Sequence, residues 1–310
     1  MKRGMLLVAV ALAAVGARAG ELKIAEVPAQ AKWVAHLDAE KLRASQIGQK
    51  LLAEIQADVK ITAQLDAVRN AVGVDLRKDI NDLTLGGGDD KKNHGVMIVR
   101  GPFSTEKLLA ALRANPQHEE MAEGDASYHK WFDKGHDNYG AFLPGGRCVF
   151  SENREAAKTT ADVIRTGQGG MIPDSVLGTL AKDAAGCIVF AALDGGEGLP
   201  GDKQPQAAVL RKVTAAELRV SENAGRVQGE LVAKVATAED AVRIAEIARG
   251  LIALGQLNED IPPALARLAQ TAQVKQDGKQ VKVVVSCPPE DVLQFLKNKR
   301  GQAKDQPSGF

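Results

Sequence analysis

This chain of 310 residues predicts an α+β fold made of two tandem halves, each an antiparallel sheet with helices on one face, loosely ferredoxin-like. Three observations carry that expectation. A strand, a hairpin and a helix follow one another with mixed strand directions, which suits sheets with segregated helices. The same order of elements begins again near residue 185. Apolar residues make up 45% of the chain, ample for a core, with Leu, Val, Ala and Ile supplying the packing that two Trp and two Tyr cannot.

The first segment is an export signal. Lys2 and Arg3 precede an unbroken apolar run over residues 5–15, and Ala17-Arg18-Ala19 offers the small residues after which a signal peptidase cuts. The run is shorter than the roughly 20 residues a membrane-spanning helix needs, and no cysteine follows the cut, which speaks against a lipoprotein. The expected organisation is a signal peptide over 1–19, a first half over 20–166, a linker region over 167–184, a second half over 185–300 and a disordered tail over 301–310.

In the first half, residues 33–37 alternate as a strand does, and Asp38 is placed to cap a helix signalled by Leu42, Ile47, Leu51, Leu52 and Ile55. A second helix runs through Leu65, Val68 and Val72. Residues 82–85 and 95–100 form a hairpin across the turn Gly86-Gly87-Gly88-Asp89-Asp90. Ser104 opens a helix that Pro116 ends. Strands over 128–132, 139–143 and 147–150 and a helix over 155–165 close the half. Gly167, Gly169, Gly170 and Pro173 mark the linker.

In the second half, residues 185–193 end in Leu193-Asp194 as the first strand ends in Leu37-Asp38. A hairpin over 217–220 and 227–235, a helix over 237–257, strands over 274–276 and 281–286 and a helix over 290–299 follow in the same order. This recurrence predicts a tandem duplication. The long helix carries an apolar stripe wider than one sheet face covers, expected to be buried between its own sheet and the helix at 265–268, with a homodimer or partner surface as the alternative. The polar stretch 195–206 reads as a mobile loop.

Charge excludes a nucleic-acid binder. Removing residues 1–19 takes Lys2, Arg3 and Arg18, so the 40 basic residues become 37 against 39 acidic ones and the net charge moves from +1 to −2. No basic face is left to neutralise phosphates. Cys148, Cys187 and Cys287 each sit in or beside an apolar strand-like run. They read as three buried free thiols, or as one bridge and one thiol.

The run Val72-Gly73-Val74-Asp75-Leu76-Arg77-Lys78-Asp79-Ile80 leading into Asp82-Leu83-Thr84-Leu85, with Ser151-Glu152-Asn153 before the helix closing the first half, resembles uncharacterised bacterial exported proteins of the domain-of-unknown-function kind. That resemblance implies a signal peptide, two α+β halves and an extracytoplasmic location. It implies no catalytic or binding residue.

Three patterns raise chemistry. Ser104-Thr105-Glu106-Lys107, with Ser151-Glu152-Asn153 and Lys158-Thr159-Thr160, echoes the nucleophile and lysine set of serine penicillin-binding proteins. Lys158, however, lies in a helical pattern where a strand is required, and Ser104 is explained as a helix N-cap. His118, His129 and His136, among Glu119, Glu120, Asp133 and Asp137, are candidate metal ligands. Their spacing matches no known ligand motif, so a solvated hairpin rim is the plainer reading. The glycine-rich turn at 86–90 lacks both the helix of a phosphate loop and the periodicity of a calcium loop. The sequence therefore leads to a soluble exported, periplasmic or secreted, non-catalytic binding or interaction protein. It calls for no cofactor and no stable membrane insertion after signal cleavage, and its partner is unknown, a cell-envelope protein being one class. The alternatives are a hydrolase or other enzyme with a site between the halves, with Ser104, Lys107, His129 or nearby carboxylates as candidates, and a weak divalent-metal binder using His118, His129 and His136.

Overall fold

The computed structural model describes residues 20–88, 95–102, 104–123, 126–133, 135–195, 211–257 and 261–305. The expected signal peptide, the polar stretch beyond Gly195, Asp89 and Asp90 of the glycine turn, and residues 306–310 lie outside the described residues.

Alternating apolar patterns become strands β1 (Trp33–Asp38), β2 (Asp82–Gly87), β3 (Val96–Arg100), β4 (Glu119–Glu123), β5 (Ala126–Asp133), β6 (His136–Leu143), β7 (Arg147–Ser151), β8 (Val189–Asp194), β9 (Val213–Asn223), β10 (Arg226–Val235), β11 (Gln273–Asp277) and β12 (Gln280–Cys287). They build one sheet in the order β11-β12-β10-β9-β8-β1-β2-β3-β7-β6-β5-β4. Every pairing is antiparallel, and β1 meets β8 at the centre with Ala35 opposite Ala191. Outward from that seam the order is β1-β2-β3-β7-β6 on one side and β8-β9-β10-β12-β11 on the other. The first half adds the hairpin β4-β5 at its edge.

Helices cover both faces of the sheet, where one face was expected. The reason lies in the strands themselves: β1 is apolar on both sides, with Val34 on the front and Leu37 on the back. On the front, Phe190, Val34 and Ala192 pack with Val27, Met171, Leu177 and Leu180. Leu177 and Leu180 belong to α6 (Val176–Leu180), so the stretch expected to link the halves contributes to their shared core. Beside it α5 (Arg154–Thr166) lays Ala161 and Ile164 on Ile98, Ala141 and Val149. Burying each of these large side chains stabilises the fold by about 1.5–3 kcal/mol.

On the back, the helix expected over 42–55 is two, α1 (Ala39–Ala44) and α2 (Gln46–Ala57), broken at Ser45, whose side chain accepts from the Gly48 amide. Gly48 permits the elbow, because a Cβ there would fall 1.6 Å from the Leu42 carbonyl oxygen. Ile47 of α2 meets Leu268 of α8 (Pro263–Thr271) and Val292 and Leu293 of α9 (Pro289–Asp305) over Val189, Val220 and Val227. The helix α9 continues through Asp305, past the point where a disordered tail was expected. Helix α7 (Ala238–Leu257) packs Ala241, Ile244 and Ala245 on Val235 and Val281. Its far end is different: Leu251, Leu254 and Leu257 are 57%, 64% and 79% exposed, so the wide stripe is only half buried. The remaining helices are α3 (Val59–Val72), closed by Gly73 in the left-handed conformation, and α4 (Thr105–Arg113).

Candidate functional site

The front of the sheet, where the end of β1 lies beside the start of β2, gathers a cluster of buried polar groups, His36, Asp38, Asp82, Thr84 and Arg100. Period-two alternation sends Val34, His36 and Asp38 to the front, and pairing sets Asp38 opposite Asp82 and His36 opposite Thr84. Asp82 in turn faces Arg100. Arg100 donates through Nε to both Asp82 oxygens at 2.8 and 3.0 Å and through Nη1 to Glu26 at 3.1 Å. His36 Nε2 lies 2.8 Å from the Gly20 carbonyl oxygen and Nδ1 lies 2.9 Å from Thr84 Oγ1. A carbonyl only accepts, so Nε2 carries the proton and Nδ1 accepts from the threonine hydroxyl.

Burial lowers the His36 pKa to about 4, against the opposing bond to Gly20. Burial likewise pushes Asp82 up, against the pull of Arg100. A cavity of about 440 Å³ opens beside this cluster, lined by Lys23, Asp82, Arg100 and Arg147 among others. Its carboxylates and guanidinium are committed to one another, an arrangement that clamps the backbone of residues 20–26.

The second concavity is a groove of about 480 Å³ between α5 and residues 28–31. Gly86, Gly87 and Val96 form its floor, Ala156, Thr159 and Thr160 one wall, and Pro28 and Ala31 the other. Its surface is mostly apolar, with Asn153, Glu155 and Gln30 at the rim. Asn153 is fixed, since its side chain accepts from the Ala156 amide and caps α5. A third hollow, of about 380 Å³, lies under Cys187, Arg219 and Glu230. Glu217 lies 3.5 Å from Arg219, and burial pushes its carboxyl up, with Arg219 countering it.

The suspected nucleophile set does not assemble. Ser104 stands at the N-cap of α4 with extended backbone, but its side chain makes no cap bond. The stem of Lys107 lies against Gly73, where a Cβ would meet its Cδ at 3.0 Å. Helix α4 sits on the back, its Arg113 donating to Glu120 at 2.9 Å, whereas α5, which carries Lys158, lies on the front. Ser151 donates its hydroxyl to the Gly95 carbonyl.

The histidines divide. His118 and His129 stack with ring centroids 5.3 Å apart, and His118 Nε2 is 3.1 Å from His129 Nδ1. His129 is 1% exposed, packed edge-on to Phe142, which corrects the solvated rim. Burial lowers its pKa, helped by His118 and Arg113 and opposed by Glu120. His136 is exposed and pairs with Asp133 across the β5–β6 turn. Among the described residues no three His, Cys, Asp or Glu side chains are grouped to hold a metal ion. The pairing of His118 with His129 depends on β4, which the charged run at 119–123 concealed. His36 was passed over because one histidine in an alternating strand carries no motif. Its place opposite Thr84 was its only signal.

The class these features define is an α+β protein on one large antiparallel sheet, with polar clamps and an apolar groove on the front. No protein-family model matches the chain, and no curated protein does. Solved structures share its fold, among them two crystal forms of TP0453. Crystal form III of TP0453 superposes at a TM-score of 0.53, with 9% identity over 89% of this chain and 97% of that one. Crystal form IV of TP0453 gives 0.51, with 8% identity over 88% and 95%. At such identity the likeness concerns the fold alone.

Proposed function

We propose that this is an exported, non-catalytic binding protein whose ligand is small and largely apolar and sits in the groove between α5 and residues 28–31. The observation that carries the reading is the groove itself. Its volume, about 480 Å³, falls within the roughly 300–1,000 Å³ of ligand sites, which are mostly apolar with a few fixed polar groups. Asn153 and Glu155 supply such groups at the rim. The charged groups beside β1 and β2 are spent on one another, Arg100 on Asp82 and Glu26, which supports binding over catalysis there. Export accords with the charged start, apolar run and small-residue cut of residues 1–19.

The test is saturable binding of an uncharged apolar fluorescent probe, N-phenyl-1-naphthylamine, to the chain starting at Gly20. A bulky Thr159→Trp should fill the groove and abolish the binding, while Thr159→Ser keeps it. Equal binding by both variants would sink the proposal.

We also infer that the halves descend from a duplication. The matching outward orders support it, as does the shared ending of β1 and β8 in Leu-Asp. Superposing β1-β2-β3-β7 on β8-β9-β10-β12 tests it, and strands that do not overlay with matching direction would refute it.

A further inference from the structure

Residues 20–31 contain only one turn of 3₁₀ helix, Ile24–Glu26, yet they are held along their length. The Val27 carbonyl accepts from the Met171 amide at 2.7 Å and the Ala29 amide donates to the Gly169 carbonyl at 3.1 Å. The Glu21 carbonyl accepts from Arg100 Nη2 at 3.2 Å, and the Gly20 carbonyl accepts from His36. Gly20 is itself buried. Its φ is +98°, and a Cβ there would fall 2.5 Å from Asp38 Oδ1 and 2.9 Å from Asp38 Cγ. Only glycine fits that position, on backbone angle and on space alike.

The nitrogen of Gly20 shares its Cα with that Cβ position, about 2.5 Å from it, so it lies within about 5 Å of Asp38 Oδ1. Hydrolysis of the Ala19–Gly20 bond consumes one water, leaves a carboxylate on Ala19 and frees an amine on Gly20, protonated at neutral pH. An ammonium in a buried place requires a counter-charge. Asp38, 2% exposed, is that charge.

We propose that Gly20 is the first residue of the mature chain and that its α-ammonium docks against Asp38, so that removal of the leader completes the front of the fold. The inference rests on the export reading of residues 1–19. The charged and titratable groups around the amine are Asp38 and His36 from β1, Lys41 from α1, Asp82 from β2, Arg100 from β3, Arg147 from β7, and Lys23 and Glu26 of the segment itself. Arg100 takes Asp82 and Glu26. Lys41 Nζ holds Asp38 Oδ2 at 2.9 Å, which leaves Oδ1, the oxygen against Gly20, to receive the amine beside the Lys41 amide.

The experiment begins with the full chain expressed in a bacterium, the exported product being weighed by mass spectrometry. A mass beginning at Gly20 is expected. A chain retained whole defeats the export reading and this inference together, whereas a cut at another bond defeats this inference alone. Urea unfolding between pH 7 and 10 then compares the product with the same chain carrying one extra alanine before Gly20.

An amine paired in the folded state keeps its proton to higher pH than in the unfolded chain. Its contribution is therefore full below about pH 8 and lost as pH rises through the folded value. The mature chain should lose stability over that range. The extended chain should have a folding constant about tenfold smaller at pH 7 and a flatter profile. Superimposable curves for the two chains would overturn the proposal, whatever Asp38→Asn does to the cap of α1.

Discussion

At the residue scale, His36 sets a pH limit on the fold. With its pKa held at about 4 against an ordinary 6.5, it is neutral in the folded chain while the unfolded chain takes up a proton below pH 6.5. The stability it contributes is thus complete above pH 6.5 and declines toward pH 4, by about 3 kcal/mol in all. Urea midpoints measured from pH 7 to pH 4 should fall steeply in the native protein and less so in His36→Gln. Equal slopes would show that another group governs acid unfolding. Much at this scale was legible: Asp38 does cap its helix, accepting from the Lys41 amide at 2.8 Å. Cys148, Cys187 and Cys287 are buried and free, and burial pushes the Cys148 thiol up to about 12. The Asp82–Arg100 pair was not legible, because the partners stand 18 positions apart and meet only through the register of β2 on β3.

At the element scale, helices of one half are held by groups of the other. Glu222, at the end of β9, accepts from the Gln46 and Ile47 amides at 2.8 and 2.9 Å and so caps α2 from across the molecule. A carboxylate at a helix start satisfies orphan amides and suits the helix dipole. Glu222→Ala should therefore cost about 1–2 kcal/mol in denaturant unfolding, and a change near zero would make the contact incidental. Helix α7 divides along its length. Ile244→Ala should cost about 2–4 kcal/mol, whereas Leu254→Ser should stay within about 0.5 kcal/mol, read in the same experiment. A large loss for Leu254→Ser would mean that its exposed stripe is covered. Periodicity revealed the stripe but not its exposure, since the same apolar spacing serves a core and a surface. Strand β4 escaped detection for the converse reason: with three glutamates in Glu119–Glu123, it has an edge strand's composition and little alternation.

At the scale of the whole molecule, the seam between β1 and β8 makes one body of two halves. A fragment of residues 20–166 would bare the β1 edge and the apolar surfaces of Val34 and Leu37. It should be unfolded or aggregated by circular dichroism and gel filtration, while the chain from Gly20 onward unfolds in one transition. An independently folded, monomeric fragment would refute that unity. The sequence announced the recurrence of elements but not the seam, because two separate sheets and one shared sheet require the same alternation in every strand. The twelve-stranded sheet ends at β4 on one side and at β11, with its Lys275 and Asp277, on the other. Were two copies to meet at β4 in antiparallel fashion about Met121, Glu119 of each would face Glu123 of the other, and the like charges would repel. A hydrogen-bonded template of this breadth thus carries, in two glutamates at its border, its own brake on fibre growth.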